Sequence, residues 1–212
     1  MGDEIIGRSI EMNWRELFSS NYVMRLATHT PMYTPAQYLL SRRKLSIFKG
    51  ADIKLLCGTN ALYTNMLRPL PTWNINYLNC GMATGTVCLG VGAGANSSSV
   101  NLYTRALYRK VLSHDLVHSV RDEHLLERVG LRAWNTGCPT LWGLTPEHCE
   151  TIAHTKGDEV VFTLTSYHPN PHKDRAMVDV LRRSYSRLHF WPQTIDDLGY
   201  LQSLGAADGV EI

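Results

Sequence analysis

The sequence has no CxxC pair, no apolar run long enough to cross a bilayer, no internal repeat and no excess of either charge. Each absence removes a class of protein. Cys57, Cys80, Cys88, Cys138 and Cys149 are an odd set, with neither the paired spacing of a zinc ribbon nor the framework of a disulfide-stapled domain, which points to a reducing compartment. The opening Met1-Gly2-Asp3-Glu4 lacks the basic-then-apolar order of a secretory leader, so a cytoplasmic protein without an integral membrane segment is expected. Lysine and arginine total 21 against 19 aspartate and glutamate, a net charge of +2, so no broad field draws the chain to nucleic acid or anionic membrane. Any anion must be held by local groups.

What is present is enough to fold. With 44% hydrophobic and 19% charged residues the chain can build a core. Its 212 residues exceed one domain and fall short of two. Ile6, Ile10, Trp14 and Leu17 recur at helical spacing behind a capping Asp3, with Glu4 favourable in the first turn. Residues 22–27 read as a short strand, 35–43 as a helix introduced by Thr34, and 53–57 as a strand stopped by Gly58. A strand at 86–91 leads through a Gly/Ser-rich loop to a helix at 100–112, with Leu102, Ala106 and Val111 as its apolar stripe. Residues 116–120 form a strand and 122–129 a short helix ending at Gly130. Thr145-Pro146-Glu147 opens another helix, running to about residue 153. A β-branched run at 160–165 reads as a buried strand, followed by a helix at 174–185, a strand at 188–191 and a helix at 194–204 closed by Gly205.

This alternation predicts an α/β protein: a Rossmann-like parallel sheet with helices on both faces, plus an incomplete second Rossmann-like domain. The polar patch at 154–158 sets the boundary, giving residues 1–155 as the first domain and 156–212 as the start of the second. Ligands of such sheets bind at the carboxyl ends of the strands.

Several residues fall at those ends. Gly90 and Gly92 lie in a strand-to-helix loop whose amides can hold phosphate, and the same pattern also serves as a tight turn. A dinucleotide site would need an acid ending the next strand, whereas Asp115 begins it, so no cofactor is expected. Gly58-Thr59-Asn60 is either a plain turn or a ligand edge. Arg121 follows a strand and opens a helix, where a guanidinium can bind carboxylate or phosphate in bidentate fashion, or else pair with Asp122 or Glu123. His114 and His118, like His168 and His172, sit four apart without a third ligand, so no metal is expected. Cys138 has no histidine fixed relative to it and reads as a packing residue rather than a nucleophile. His189-Phe190-Trp191 is expected in the core.

Read together, Gly2-Asp3-Glu4-Ile5-Ile6, Leu56-Cys57-Gly58-Thr59-Asn60, Leu89-Gly90-Val91-Gly92, Ser119-Val120-Arg121-Asp122, Thr136-Gly137-Cys138-Pro139-Thr140 and Trp191-Pro192-Gln193 resemble, in this order, the polysaccharide pyruvyl transferase family. The resemblance implies a two-domain fold like the type B glycosyltransferases, with phosphoenolpyruvate and a sugar acceptor meeting between the domains. It implies ketal formation: the donor's methylene carbon is protonated, charge develops at the neighbouring carbon, two sugar hydroxyls add in turn and phosphate leaves. Such chemistry needs an acid near the methylene and cations on the carboxylate and phosphate. Arg121 matches the family's first-domain arginine and is the candidate catalytic residue. Gly2, Asp3, Gly58, Thr59, Asn60, Gly90, Gly92 and Asp122 are the candidate substrate-binding positions.

The chain departs from the family pattern at two places. Cys57 stands where a glycine is usual, and no Arg-Leu-His-Gly segment follows Leu204; Arg187-Leu188-His189 spells the tripeptide too early and is read as coincidental. The expectation is therefore a chain shortened at both ends, whose open sheet edges favour a homo-oligomer. The alternative to catalysis is an inactive relative that binds a sugar phosphate, nucleotide or protein. A nucleotide-sugar transferase fits the fold but not the donor residues.

Overall fold

The computed structural model describes residues 2–31, 33, 37, 48–94, 99–121, 125–152, 155, 157–167 and 169–212. Two compact units divide the chain, Met1–Thr151 and Ile152–Ile212. The fold is α/β, and every named strand pairs in parallel. Among the described residues no helix is long and apolar enough to cross a membrane.

The first unit carries α1 (Gly2–Asn13), α2 (Arg15–Ser19), β1 (Leu55–Cys57), β2 (Val87–Leu89), α3 (Leu102–Val111), β3 (His118–Val120), α4 (Leu125–Arg128), β4 (Ala133–Asn135) and α5 (Pro146–Glu150). β1 pairs with β2, and β3 with β4. The two pairs join at their carboxyl ends, where Val91 bridges Val120 and the Arg121 amide donates to the Val91 carbonyl at 3.1 Å. Lower down, a side chain replaces the ladder: the Cys88 amide donates to His118 Nδ1 at 3.0 Å.

The core of this unit forms where α3 lies on the strands. Leu107, Tyr108 and Val111 are fully buried, together with Cys88 and Val91 beneath them. The buried stripe of α3 is thus Thr104, Leu107, Tyr108 and Val111 rather than the predicted Leu102, Ala106 and Val111. Two anchors fix this rotation. The Asn101 side chain caps the helix by accepting from the Thr104 amide at 2.7 Å, and the Tyr108 hydroxyl grips Tyr63, accepting from its amide at 2.8 Å and donating to its carbonyl at 2.9 Å. Leu102, first in the helix, is left 84% exposed.

Other expectations shift too. Residues 22–27 form no strand, and Tyr22 stands in solvent. The predicted helix at 35–43 lies outside the described residues apart from Gln37, and the predicted helix at 122–129 is described only from Leu125. β4 was not anticipated: three residues, two of them exposed, carry no periodic signal.

The second unit holds β5 (Glu159–Phe162), α6 (Pro171–Ser184), β6 (Arg187–Phe190), α7 (Ile195–Ser203) and β7 (Val210–Glu211), with β6 central. Phe162, Leu188 and Phe190 point to one face and pack under Val178, Leu201 and Leu204. Strand alternation sends Val161, His189 and Trp191 the other way, and Val161 is 63% and Trp191 69% exposed. Among the described residues of this unit, α6 and α7 both pack on the first of these faces. The β-branched run is not fully buried, and of His189-Phe190-Trp191 only Phe190 enters the core. On the outer face Glu159 takes an ion pair from Arg187 at 2.5 Å and lies 3.0 Å from His189.

Candidate functional site

The carboxyl ends of β1 to β4 are stitched into one edge. After β1 the chain turns through Gly58 at φ 58° and Thr59 at φ 53°. Two successive left-handed residues are uncommon, and a β-branched threonine there costs on the order of 1–3 kcal/mol. The turn is held because the Gly58 amide donates to the Leu89 carbonyl at 2.8 Å and the Thr59 carbonyl accepts from the Gly92 amide at 2.8 Å. Gly58 has no room for a side chain, since a Cβ would run into Ile6 of α1. Gly2 and Asp3 open that same helix, one turn before Ile6.

After β2, Gly90 turns at φ 63° with the ring of Pro139 where its Cβ would be. Its amide donates to Ser119 Oγ at 2.8 Å, and Ser119 Oγ in turn is hydrogen-bonded to Thr136 Oγ1 at 2.5 Å, with either hydroxyl able to donate. The amides of Val91, Gly92 and Gly94 donate to the carbonyls of Ser119, Thr59 and Leu62. These four amides are bonded within the protein, so of the two readings of this loop they serve the tight turn. Residues 95–98 and Asp122 lie outside the described residues.

Arg121 is the cation of this edge. Its Nη2 donates to Asn60 Oδ1 at 2.5 Å, and its Nη1 to Cys138 Sγ at 3.6 Å. Cys138 also accepts from Thr140 Oγ1 at 3.2 Å. Burial alone would push this thiol up, but the hydroxyl and amide of Thr140 and the guanidinium of Arg121 outweigh it and hold the thiol below its ordinary range. Cys57 of β1, packed against the same apolar cluster, behaves oppositely: burial, aided by Glu11, pushes it up to about 11. The edge thus offers an arginine fork oriented by a carboxamide and a sulfur, above a frame of bonded strand ends. Such a fork can hold a carboxylate or phosphate.

Of the sequence candidates, Arg121 and Asn60 meet directly, Gly58, Thr59, Gly90 and Gly92 supply the frame, and Gly2 and Asp3 lie in the first turn of α1, whose Ile6 is what meets the edge. Sequence reasoning passed over Ser119, Thr136 and Thr140, and it took Cys138 for packing alone. The signal for them was order: each lies at or just past the end of β3 or β4. His118 is buried as a neutral ring, with Nδ1 accepting from Cys88 and Nε2 donating to the Ser113 carbonyl at 3.0 Å, so it belongs to the frame. Among the described residues no three His, Cys, Asp or Glu side chains gather to hold a metal ion.

In the second unit the strand ends are fixed by Asp197. Its carboxylate accepts from the Ser166 amide at 2.8 Å, Ser166 Oγ at 3.0 Å, and the Gln193 and Thr194 amides at 3.1 and 2.8 Å. These donors, the Ser166 amide foremost, hold its carboxyl down to about 2.

The family model for polysaccharide pyruvyl transferases matches residues 2–198. No curated protein and no solved structure matches the chain significantly.

Proposed function

The chain belongs to the polysaccharide pyruvyl transferase family, and from that premise we propose that it moves the enolpyruvyl group of phosphoenolpyruvate onto a sugar of a cell-surface glycan precursor as a ketal. The observation that carries the donor half of this reading is the Arg121 fork, a cation fixed by Asn60 at the carboxyl edge of a parallel sheet. Arg121 holds the carboxylate or phosphate of the donor and stabilises the charge that phosphate carries away. Asn60 and Thr59 lie beside it, while Gly58 and Gly90 contribute shape, keeping side chains out of the edge, and Gly92 ties its amide to the Thr59 carbonyl. Gly2, Asp3 and Asp122 are carried as further substrate-binding positions by the family resemblance alone. In the reaction a proton is added to the donor's methylene carbon, one sugar hydroxyl oxygen bonds to the adjacent carbon, and phosphate departs as the second hydroxyl bonds there. The two hydroxyl protons are released, so no redox partner is needed.

The test is phosphate release from phosphoenolpyruvate over a panel of sugar acceptors, with the ketal identified by mass spectrometry. Turnover lost in Arg121→Gln supports the reading. No turnover and no donor-induced thermal shift with any acceptor removes it, and donor binding that survives Arg121→Gln favours a non-catalytic binding module. We place the protein in the cytoplasm, supported by its five free cysteines. We also propose a homo-oligomer, supported by the outer sheet face with Val161 and Trp191 exposed; a monomer by light scattering would refute it.

A further inference from the structure

Three separate segments converge on one guanidinium: the turn after β1 brings Asn60, the end of β3 brings Arg121 itself, and the turn after β4 brings Cys138 with Thr140. Two of the five N–H donors of an arginine are engaged by these contacts. Cys138 differs from Asn60 in that its charge can change. As a thiol it leaves Arg121 its full charge; as a thiolate it sits 3.6 Å from Nη1 and cancels much of that charge.

We propose that Cys138 is a positioning residue for Arg121, holding the guanidinium together with Asn60, and that formation of its thiolate opposes binding of an anion by the same arginine. The inference deepens the donor-site reading and rests on it for the identity of the anion. Its physical basis is reciprocity. Arg121 and Thr140 both favour the thiolate, because a thiolate accepts from two donors better than a thiol does. An anion bound at Arg121 withdraws that support and returns Cys138 to the thiol. By linkage the thiolate must weaken the anion by the same factor.

Among the described residues, the titratable groups on the elements packed against Cys138 are few. Cys57 of β1 packs against the same cluster and stays protonated, pushed up to about 11 by burial and Glu11. On α1, which packs on the turn Pro139–Leu141, Glu4 and Arg8 pair with each other at 2.7 Å, and Glu11 pairs with Arg25. The turn itself carries no titratable side chain. Arginine does not titrate in this range.

The experiment has two arms, both on the full chain. Calorimetry measures binding of phosphoenolpyruvate and of sulfate, an anion of constant charge, across about pH 6 to about pH 9.5 in the wild type, Cys138→Ser and Cys138→Ala. Wild-type affinity for sulfate should fall about fivefold or more as the thiolate forms. Cys138→Ser should bind like the wild type at low pH and show no fall, because serine keeps the acceptor and removes the titration. Cys138→Ala should bind more weakly at every pH with the same flat profile. The second arm follows alkylation of Cys138 by iodoacetamide, read peptide by peptide. Its titration midpoint should rise in Arg121→Gln, and sulfate should slow the reaction in the wild type. A fall with pH in Cys138→Ser equal to that of the wild type, or a midpoint unmoved in Arg121→Gln, overturns the proposal. Sulfate binding without phosphoenolpyruvate binding would sink the donor reading alone. If neither anion binds, the donor reading fails and the alkylation midpoint still decides the coupling.

Discussion

Replacing His118 by phenylalanine tests the frame beneath the site. The ring would fit in similar volume, so packing is kept and two hydrogen bonds are removed. The Cys88 amide, buried between β2 and β3, loses its acceptor, Nδ1 at 3.0 Å, and a buried unsatisfied amide costs about 1–3 kcal/mol. The Ser113 carbonyl loses Nε2 at 3.0 Å but is only half-buried, so water recovers part of that loss. A destabilisation of about 2–4 kcal/mol at neutral pH follows. The pH dependence gives a sharper check. Burial, opposed by the Ser113 carbonyl, sets the imidazole below its ordinary value, so the unfolded chain binds the proton more readily. The wild type should therefore keep this contribution above about pH 6.5 and lose it as the pH falls through the folded value. The gap between wild type and His118→Phe must then narrow on acidification. Hydrogen exchange by mass spectrometry on peptides spanning Cys88 and His118 reads the effect locally, with peptides of the second unit as the internal reference. An unchanged Cys88 amide, or a gap that widens in acid, would refute the assignment of a neutral, doubly bonded ring.

Three further outcomes follow from the same packing. Gly90→Ala places a Cβ on the Pro139 ring at a left-handed φ of 63°, and calorimetric melting should show a loss of about 2–4 kcal/mol together with weaker anion binding. Tyr108→Phe strands the amide and carbonyl of Tyr63 in the core, costing about 1–3 kcal/mol in urea unfolding, with no change in anion binding expected. Asp197→Ala should speed exchange of the Ser166, Gln193 and Thr194 amides; in the wild type their protection should persist in acid and fade only as the pH drops toward about 2, since the folded carboxyl is held down there and its contribution is present above the unfolded value.

The parts of the fold that were legible in the sequence are those with strong local chemistry. α1, α3, α6 and α7 stand where helices were expected, but Asp3 lies inside α1 rather than capping it, α6 begins at Pro171 rather than 174, and the capping Asn101 and Asn170 were not foreseen. The phase of α3 was misread because Leu102 looks apolar but occupies the first helical position, while Tyr108 enters the core on the strength of a contact 45 residues away. Residues 22–27 have strand-forming residue types and find no partner strand, so propensity without pairing produced nothing. β5 was read as fully buried because a β-branched run does not say how many faces are covered.

The site was legible only as positions, and the reason lies in β4. Gly58, Thr59, Asn60, Gly90, Gly92 and Arg121 follow strands that a periodic pattern reveals, so the strand-end rule finds them. Cys138 and Thr140 follow a strand of three residues with no pattern, paired to β3 in parallel, and nothing in the sequence places them beside Arg121. Register does. Val120 faces Asn135, the Thr136 amide donates to the Val120 carbonyl at 2.8 Å, and the chain then turns back so that Cys138 comes under the guanidinium. Asn60 arrives from 61 residues away by the same logic, carried by a turn whose two left-handed residues are held by the Leu89 carbonyl of β2 and the Gly92 amide beyond it. Arg121 is thus oriented by two residues that sequence spacing cannot connect to it. If that orientation is what makes the arginine bind anions, then Asn60→Ala should weaken sulfate binding while leaving the alkylation midpoint of Cys138 below that of Arg121→Gln. A midpoint in Asn60→Ala equal to that of Arg121→Gln would mean the guanidinium leaves Cys138 once its carboxamide anchor is gone.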